Sequence, residues 1–312
     1  MKEDALDIKL KESNLETFLT VCFYYLDEIY QPIQHLVARP GTKPEFTDIE
    51  VITLNVVGQM FTDSEKAWHR FIKKNYLSLF PKLISRSRYH RRSKNLQQLT
   101  EIMRQLLVKL LGMDTQEWHL MDSMPLQVCL RVRASRNMRF CQGFNVDNAL
   151  LYGYCASKDM KIYGFKLHLM TTLQGIPIHY VVAPAAHHDV EVAPDLIENY
   201  RQGIGIGTDK GYIGLPKKLQ NPTNFKIIIP PRDNQKEKPL NDEEKWFLKK
   251  YRKMVETTNS LLCEQFNMQY TRAKSRWGLQ NRIIAKLTSL TLAAFLNFLT
   301  DEPLLHIKEL IF

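Results

Sequence analysis

No two of the five cysteines, Cys22, Cys129, Cys141, Cys155 and Cys263, stand in C-x-x-C spacing. That excludes a zinc knuckle or a thioredoxin-type pair, and the odd count fits a reducing cytoplasm. The opening MKEDALDIKL carries acidic residues and no apolar centre, so no secretory leader is expected. No clean apolar run of about 20 residues occurs. The nearest approach, Ile283–Leu299, is interrupted by Lys286, Thr288, Ser289, Thr291 and Asn297 and reads as a buried core helix, which leaves no membrane partner. Gly203, Gly205 and Gly207 lack the spacing of a dinucleotide fingerprint, and Ser123 lacks the G-x-S-x-G elbow of a serine hydrolase. There is no internal repeat and no low-complexity tract.

What is present is a 312-residue chain that is 44% hydrophobic, enough for a sizeable core, with a net charge of +10 and a pI near 9.2. Such a charge attracts nucleic acid or an anionic surface and says nothing of fold. The first 112 residues read as helical. Ser13-Asn14-Leu15-Glu16 and Thr47-Asp48-Ile49-Glu50 are capping boxes. The first opens a helix to about Pro32; the second opens a short helix with Gly58 near its end. A third helix is expected over Ser64–Lys74, a further segment from Pro81, and a long apolar-striped helix over Ser93–Leu111.

After Gly112 the period changes. Trp118–Met121 reads as a short strand running into Asp122 and stopped by Pro125, because proline cannot donate to a ladder. Phe140–Asp159 reads as a loop. Tyr163–Met170 alternates as a half-buried strand, forming a hairpin through Gly175 with Ile178–Val182. A helix over Val190–Arg201 capped by Asp189 follows, then a buried strand Ile204–Thr208 ending at Asp209. A short helix near Leu215–Leu219, a strand Phe225–Ile229, a long helix from Asn241 or Asp242 to about Phe266, and a helix Leu279–Leu299 complete the order. Three antiparallel strands followed by alternating helix and strand give an α/β fold with a mixed sheet.

If the strands ending at Asp122 and Asp209 are neighbours, both carboxylates emerge at one sheet edge, where ligand sites of open α/β sheets lie. Glu256, on the following long helix, would pack across that edge. Three oxygen ligands around an open cavity suit Mg²⁺ or Mn²⁺. By spacing alone each has an ordinary alternative: an aspartate after a strand is a common turn residue, and a glutamate on a polar helix is commonly solvated. His187-His188-Asp189 reads as a loop and helix cap, with Asp189 the competitor to Asp209 for the second position. Three basic runs contain no acidic residue: Arg86, Arg88, Arg91, Arg92 and Lys94; Arg131, Arg133, Arg136 and Arg139; and Arg272, Lys274, Arg276, Arg282 and Lys286. As phosphate contacts they predict strongly salt-dependent binding of double-stranded DNA. The first lies beside a helix-turn-helix-like stretch, Thr47–Lys74.

The words around the acids are more specific: Asp122-Ser123-Met124-Pro125-Leu126, Thr208-Asp209-Lys210-Gly211-Tyr212, and Arg252-Lys253-Met254-Val255-Glu256. Together they resemble the DDE-type insertion-sequence transposases of bacteria, in the branch with an R-x-x-x-E word. The resemblance covers about residues 117–300. It implies an RNase H-like mixed sheet with flanking helices in residues 113–312, preceded by an all-helical, DNA-end-binding domain in residues 1–112. It makes Asp122, Asp209 and Glu256 the catalytic ligands of two Mg²⁺ or Mn²⁺ ions, with Arg252 orienting Glu256 or touching phosphate. It further implies cleavage at transposon ends, transfer of the freed 3′-hydroxyl into target DNA, a homodimer in the synaptic complex, and a cytoplasmic, nucleoid-associated protein. Some relatives carry a tyrosine three residues before the arginine and a lysine seven after the glutamate; here those positions hold Lys249 and Cys263. The alternatives to weigh are a structure-specific nuclease on the same core and a DNA-binding protein whose site has decayed.

Overall fold

Helices α1 (Leu15–Tyr30), α2 (Asp48–Phe61), α3 (Glu65–Asn75), α4 (Arg86–Asn95) and α5 (Gln97–Leu110) come first. Then follow β1 (Trp118–Gln127), α6 (Arg139–Phe144), β2 (Tyr152–Cys155), β3 (Met160–Thr172), β4 (Pro177–Pro184), α7 (Asp189–Glu198), β5 (Gly205–Gly207), β6 (Lys226–Ile228), α8 (Asp242–Glu264) and α9 (Arg276–Leu299). The structure, a computed structural model, describes residues 15–37, 40–136, 139–155, 159–198, 200, 203–232 and 239–310. Ser13 and Asn14 of the first expected capping box lie outside them. The chain divides into two compact units. One gathers Met1–Leu111, Gln265–Asn267 and Trp277–Phe312; the other gathers Gly112–Glu264 and Met268–Arg276.

In the first unit α1 buries one stripe, Phe18, Leu19, Cys22, Leu26 and Ile29, at helical spacing. The capping box at Thr47 forms as expected: Glu50 N–H donates to the Thr47 hydroxyl, and Thr47 N–H donates to the Glu50 carboxylate at 2.6 Å. α2 runs three residues past Gly58, since it is buried on nearly every side and tertiary packing outweighs glycine's low propensity. The long helix expected over Ser93–Leu111 is instead two, broken at Leu96. α9 is buried almost all round from Gly278 to Asn297, which is what a core helix requires. Ser289 Oγ donates to Val56 O at 3.0 Å and the Phe295 ring meets Tyr25 edge-on. Lys286 in mid-helix is fully buried, donating to the carbonyls of Phe266 and Asn267 and lying 3.6 Å from Asp63. Among described helices α9 is the one long and apolar enough to cross a membrane, yet 83% of its apolar window is buried inside the protein.

The second unit is built on a mixed sheet ordered β2-β3-β1-β5-β6, with β4 also paired to β3. β1, β2 and β4 each pair with β3 antiparallel; β5 joins β1 in parallel and β6 joins β5 in parallel. The hairpin through Gly175 is as expected. Three expectations change. β1 does not stop at Pro125 but runs to Gln127. Val128 N–H donates to β3 at Tyr163 O, and donors alternate along a strand, so the missing Pro125 donor falls on the opposite edge. There β5 has already ended, pairing β1 only at Trp118–Leu120. The stretch Phe140–Asp159 holds α6 and the edge strand β2 besides loop. β3 is buried on both faces rather than one, because the sheet is covered on both sides. α7 lies against β3 and β4, and α8 packs Phe247, Leu248 and Val255 on Leu120 and Ile228.

The alternating glycines of β5 make the seat for α8. A side-chain carbon on Gly205 would stand 2.4 Å from the Trp118 ring, and one on Gly207 2.9 Å from Phe247. Trp118 and Phe247 themselves lie with ring centroids 4.6 Å apart. Further along, Thr258 Oγ1 donates to Gly175 O at 2.7 Å and Asn259 donates to Asp122 at 2.7 Å. Asn241 and Glu244 exchange hydrogen bonds as the capping box that opens α8.

Candidate active site

Asp122 lies within β1 rather than at its end, because β1 continues; it lies two residues beyond the last β1–β5 pair, Leu120 with Gly207. Asp209 lies two residues beyond Gly207, so continuing the parallel register sets the two aspartates side by side. Leu120 and Gly207 both face α8, and with a period of two Asp122 and Asp209 face the same way. Asp122 Oδ1 accepts from Ser123 N–H at 2.7 Å and Oδ2 from Asn259 Nδ2 at 2.7 Å. Asp209 caps the turn Lys210–Tyr212, its Oδ1 accepting from Gly211 N–H at 2.8 Å.

Both carboxyls are harder to ionise than usual. Burial raises the Asp122 pKa from 3.8 to about 7, with the charges of Asp209 and Asp189 adding to it and the Ser123 and Asn259 hydrogen bonds opposing. Burial likewise raises Asp209, with Asp189 and Glu256 adding and Gly211 and Arg252 opposing. Desolvation and like charge are the two causes that make a carboxylate site costly without a cation. Glu256 lies on the exposed side of α8, 3.5 Å from Arg252 Nε one turn earlier, and is 55% exposed. Its carboxylate and the Arg252 guanidinium both act on Asp209, but Glu256 does not close on the aspartates: no three His, Cys, Asp or Glu side chains among the described residues are gathered closely enough for a metal.

Asp189 opens α7, with Oδ1 3.0 Å from Lys166 Nζ on β3. Its other oxygen and Asp209 both border the space over Gly211. A side-chain carbon on Gly211 would lie 3.0 Å from Asp209 Oδ1 and 3.7 Å from Asp189 Oδ2. Tyr212 is fully buried beside these acids, which with burial raise its pKa well above the usual range, and its hydroxyl has no hydrogen-bond partner. His168, expected on a polar face, is also fully buried, and burial lowers its pKa to about 4.

The family model of the transposase DDE domain matches residues 120–292. The chain belongs to the DDE transposase family. No curated protein and no solved structure matches it. The matched stretch begins in β1, two residues before Asp122, and contains Asp189, Asp209 and Glu256. The transposase is thereby a DNA-acting enzyme of a family that generally uses divalent metals.

The basic residues of this transposase separate by environment. Arg86, Arg88 and Arg91 are exposed on α4. Arg88, Arg91, Arg92 and Lys82 line an open depression of about 520 Å³. Arg92 is partly committed elsewhere: it donates to Phe46 O and lies 2.6 Å from Asp48. Arg131, Arg133 and Arg136 lie exposed just after β1, with Arg131 over the Tyr152 ring at 5.9 Å. Lys274 and Arg276 are exposed as well, and Arg276 covers the Phe144 ring and donates to Gly143 O at 3.3 Å. Sequence reasoning missed Asn259, Lys166 and Tyr212. For Asn259 a signal existed: three residues after Glu256 on a helix is the same face. Tyr212 stood in the quoted word around Asp209 without being given a role, and Lys166 carried no signal, since a lysine in an alternating strand reads as solvated.

Proposed function

We propose that the transposase cuts phosphodiester bonds at transposon ends and joins the freed 3′-hydroxyl to target DNA, with Asp122, Asp209 and Glu256 as its catalytic carboxylates. The observation that carries this reading is the register that sets Asp122 beside Asp209 on a covered sheet, both with raised pKa values and so both short of positive charge. The donor set is all hard oxygen, which fits two Mg²⁺ or Mn²⁺ ions. When bound, such ions activate an attacking oxygen and stabilise the leaving one. The chain's own part is positional. The β1–β5 pairing brings Asp122 and Asp209 alongside each other, Asn259 holds Oδ2 of Asp122, and Arg252 pairs with Glu256 one turn along α8. The strand order, β1 to β4 joined antiparallel and then β5 and β6 in parallel, supports an RNase H-like core in residues 113–312.

In this reading residues 1–112 bind the DNA ends. Arg86, Arg88, Arg91 and Arg92 meet phosphates there. Arg131, Arg133, Arg136, Arg252, Lys274 and Arg276 meet DNA near the cleavage site. Two ends held together call for a homodimer, and the work is done at the nucleoid in the cytoplasm. The test is a joining assay: labelled oligonucleotide ends and a plasmid target, with Mg²⁺, for the parent, Asp122→Asn, Asp209→Asn and Glu256→Gln. The expected result is joined product from the parent alone with DNA binding retained in all four. Cleavage without joining would move the reading to a structure-specific nuclease. Full joining by any variant would remove that residue from the ligand set.

A further inference from the structure

Resting on that reading of the site, we infer that Asp189 is a fourth carboxylate of the metal centre, and that a divalent cation is first held by Asp122, Asp189 and Asp209, before Glu256 takes part. Geometry distinguishes Asp189 from an ordinary helix-opening residue. One oxygen is tethered to Lys166 at 3.0 Å; the other borders the space over Gly211 that Asp209 Oδ1 also borders, and the Asp189 charge acts on Asp209. A carboxylate with one oxygen fixed by a neighbour and the other free is oriented as metal ligands are. Asp122 lies in β1 beyond the end of β5, Asp209 just after β5 and Asp189 at the start of α7, each acting on the other two or on Tyr212, whereas Glu256 is exposed and paired with Arg252. Near the aspartates is one unsatisfied donor: the Tyr212 hydroxyl is fully buried and without a hydrogen-bond partner, and Asp189, Asp122 and Asp209 are the charges that act on it. A buried phenol amid three acids, bonded to none of them, points to a rearrangement of the carboxylates on loading, since buried donors are otherwise satisfied. Like charges stand off from one another, and a hard dication draws their oxygens to about 2.1 Å from a common point. Gly211 leaves the space between Asp189 and Asp209 open, because any side chain there would fill it.

The experiment is Mn²⁺ binding by calorimetry on the full chain without DNA, so catalysis is not the readout. Asp122→Asn and Asp209→Asn are expected to lose binding, Asp189→Asn to weaken it about tenfold or more, and Glu256→Gln to stay near the parent value. Lys166→Met breaks the same ion pair but keeps the carboxylate and removes a repelling positive charge, so it is expected to bind at least as well as the parent. Equal losses in Asp189→Asn and Lys166→Met would mark the pair as structural and overturn the inference. So would parent-like affinity in Asp189→Asn, or a loss in Glu256→Gln as large as in the aspartate variants. If Asp122→Asn and Asp209→Asn bind like the parent, the underlying site reading itself fails. Direct ligation is read from Asp189→Cys with Cd²⁺: a thiolate-to-cadmium charge-transfer band absent from the parent supports the inference, and its absence overturns it.

Discussion

Replacing Asp122 by asparagine should make the protein more stable while destroying its chemistry. The distance from 3.8 to about 7 corresponds to roughly 4 kcal/mol of penalty for the ionised form in the folded state. The sign follows from linkage. Between those values the folded state binds more protons than the unfolded one, so stability falls as pH rises through the window. The penalty is absent below about pH 4, grows toward pH 7 and is constant above it. Asparagine carries no charge but offers one acceptor oxygen where the carboxylate offers two, for Ser123 and Asn259. Losing one of those bonds costs about 1 kcal/mol. The net gain is then roughly 2–3 kcal/mol at pH 8, or roughly 5–10 °C in the melting temperature of the unit carrying the sheet. The assay is thermal unfolding of parent and Asp122→Asn, without divalent ions, from pH 4 to pH 8. A variant no more stable than the parent at pH 8, or a gain independent of pH, would refute the reasoning. Adding Mn²⁺ should raise the parent's melting temperature and leave the variant's nearly unchanged.

Arg92→Ala should unfold the protein several degrees earlier, since it leaves Asp48 partly buried without its partner, a loss of about 2–4 kcal/mol. Arg88→Ala, exposed on the same helix, should leave melting unchanged and lower the log–log salt slope of DNA binding by about 0.9, read by fluorescence anisotropy at several salt concentrations. Gly207→Val should cost about 2 kcal/mol or more in urea unfolding, because the new side chain meets Phe247 and Leu120 head-on. Asn259→Leu removes a donor that favours ionised Asp122, so the Asp122 pKa should rise further. Its titration by carboxyl NMR should move up relative to the parent, and a downward move would count against the hydrogen bond.

The parts of the fold that were legible in the sequence are those with a local cause. The Thr47–Glu50 capping box, the Gly175 hairpin and the buried Ile283–Leu299 helix each announce themselves within a few residues. What could not be read depends on neighbours far along the chain. Pro125 stops a strand only where both edges are paired, and nothing near it shows that β5 is three residues long. His168 and Lys166 alternate as a wet face until α7 covers them. The glycines at 205 and 207 look like weak strand residues until two aromatic rings lie on them. For the proposed site, the words around Asp122, Asp209 and Glu256 singled out the acids; the pairing of β1 with β5 supplies the adjacency of the first two. The ion pair of Arg252 with Glu256 follows from their spacing, whereas Lys166 reaching Asp189 required β3 and α7 to pack together.

α8 is moored at both ends of its inner face: Phe247 rests on β5, and Thr258 and Asn259 are bonded to the Gly175 carbonyl and to Asp122. Glu256 lies between these moorings in sequence, three residues before Asn259, its half-exposed carboxylate held by a solvent-exposed pair with Arg252. Such a pair is worth about 1 kcal/mol or less, and an exposed side chain changes rotamer in nanoseconds or faster. The Glu256 carboxylate is therefore a swinging arm on a fixed post. If it serves beside the aspartates as proposed, turning it toward them costs no more than that weak pair, and parting the pair frees the Arg252 guanidinium as well.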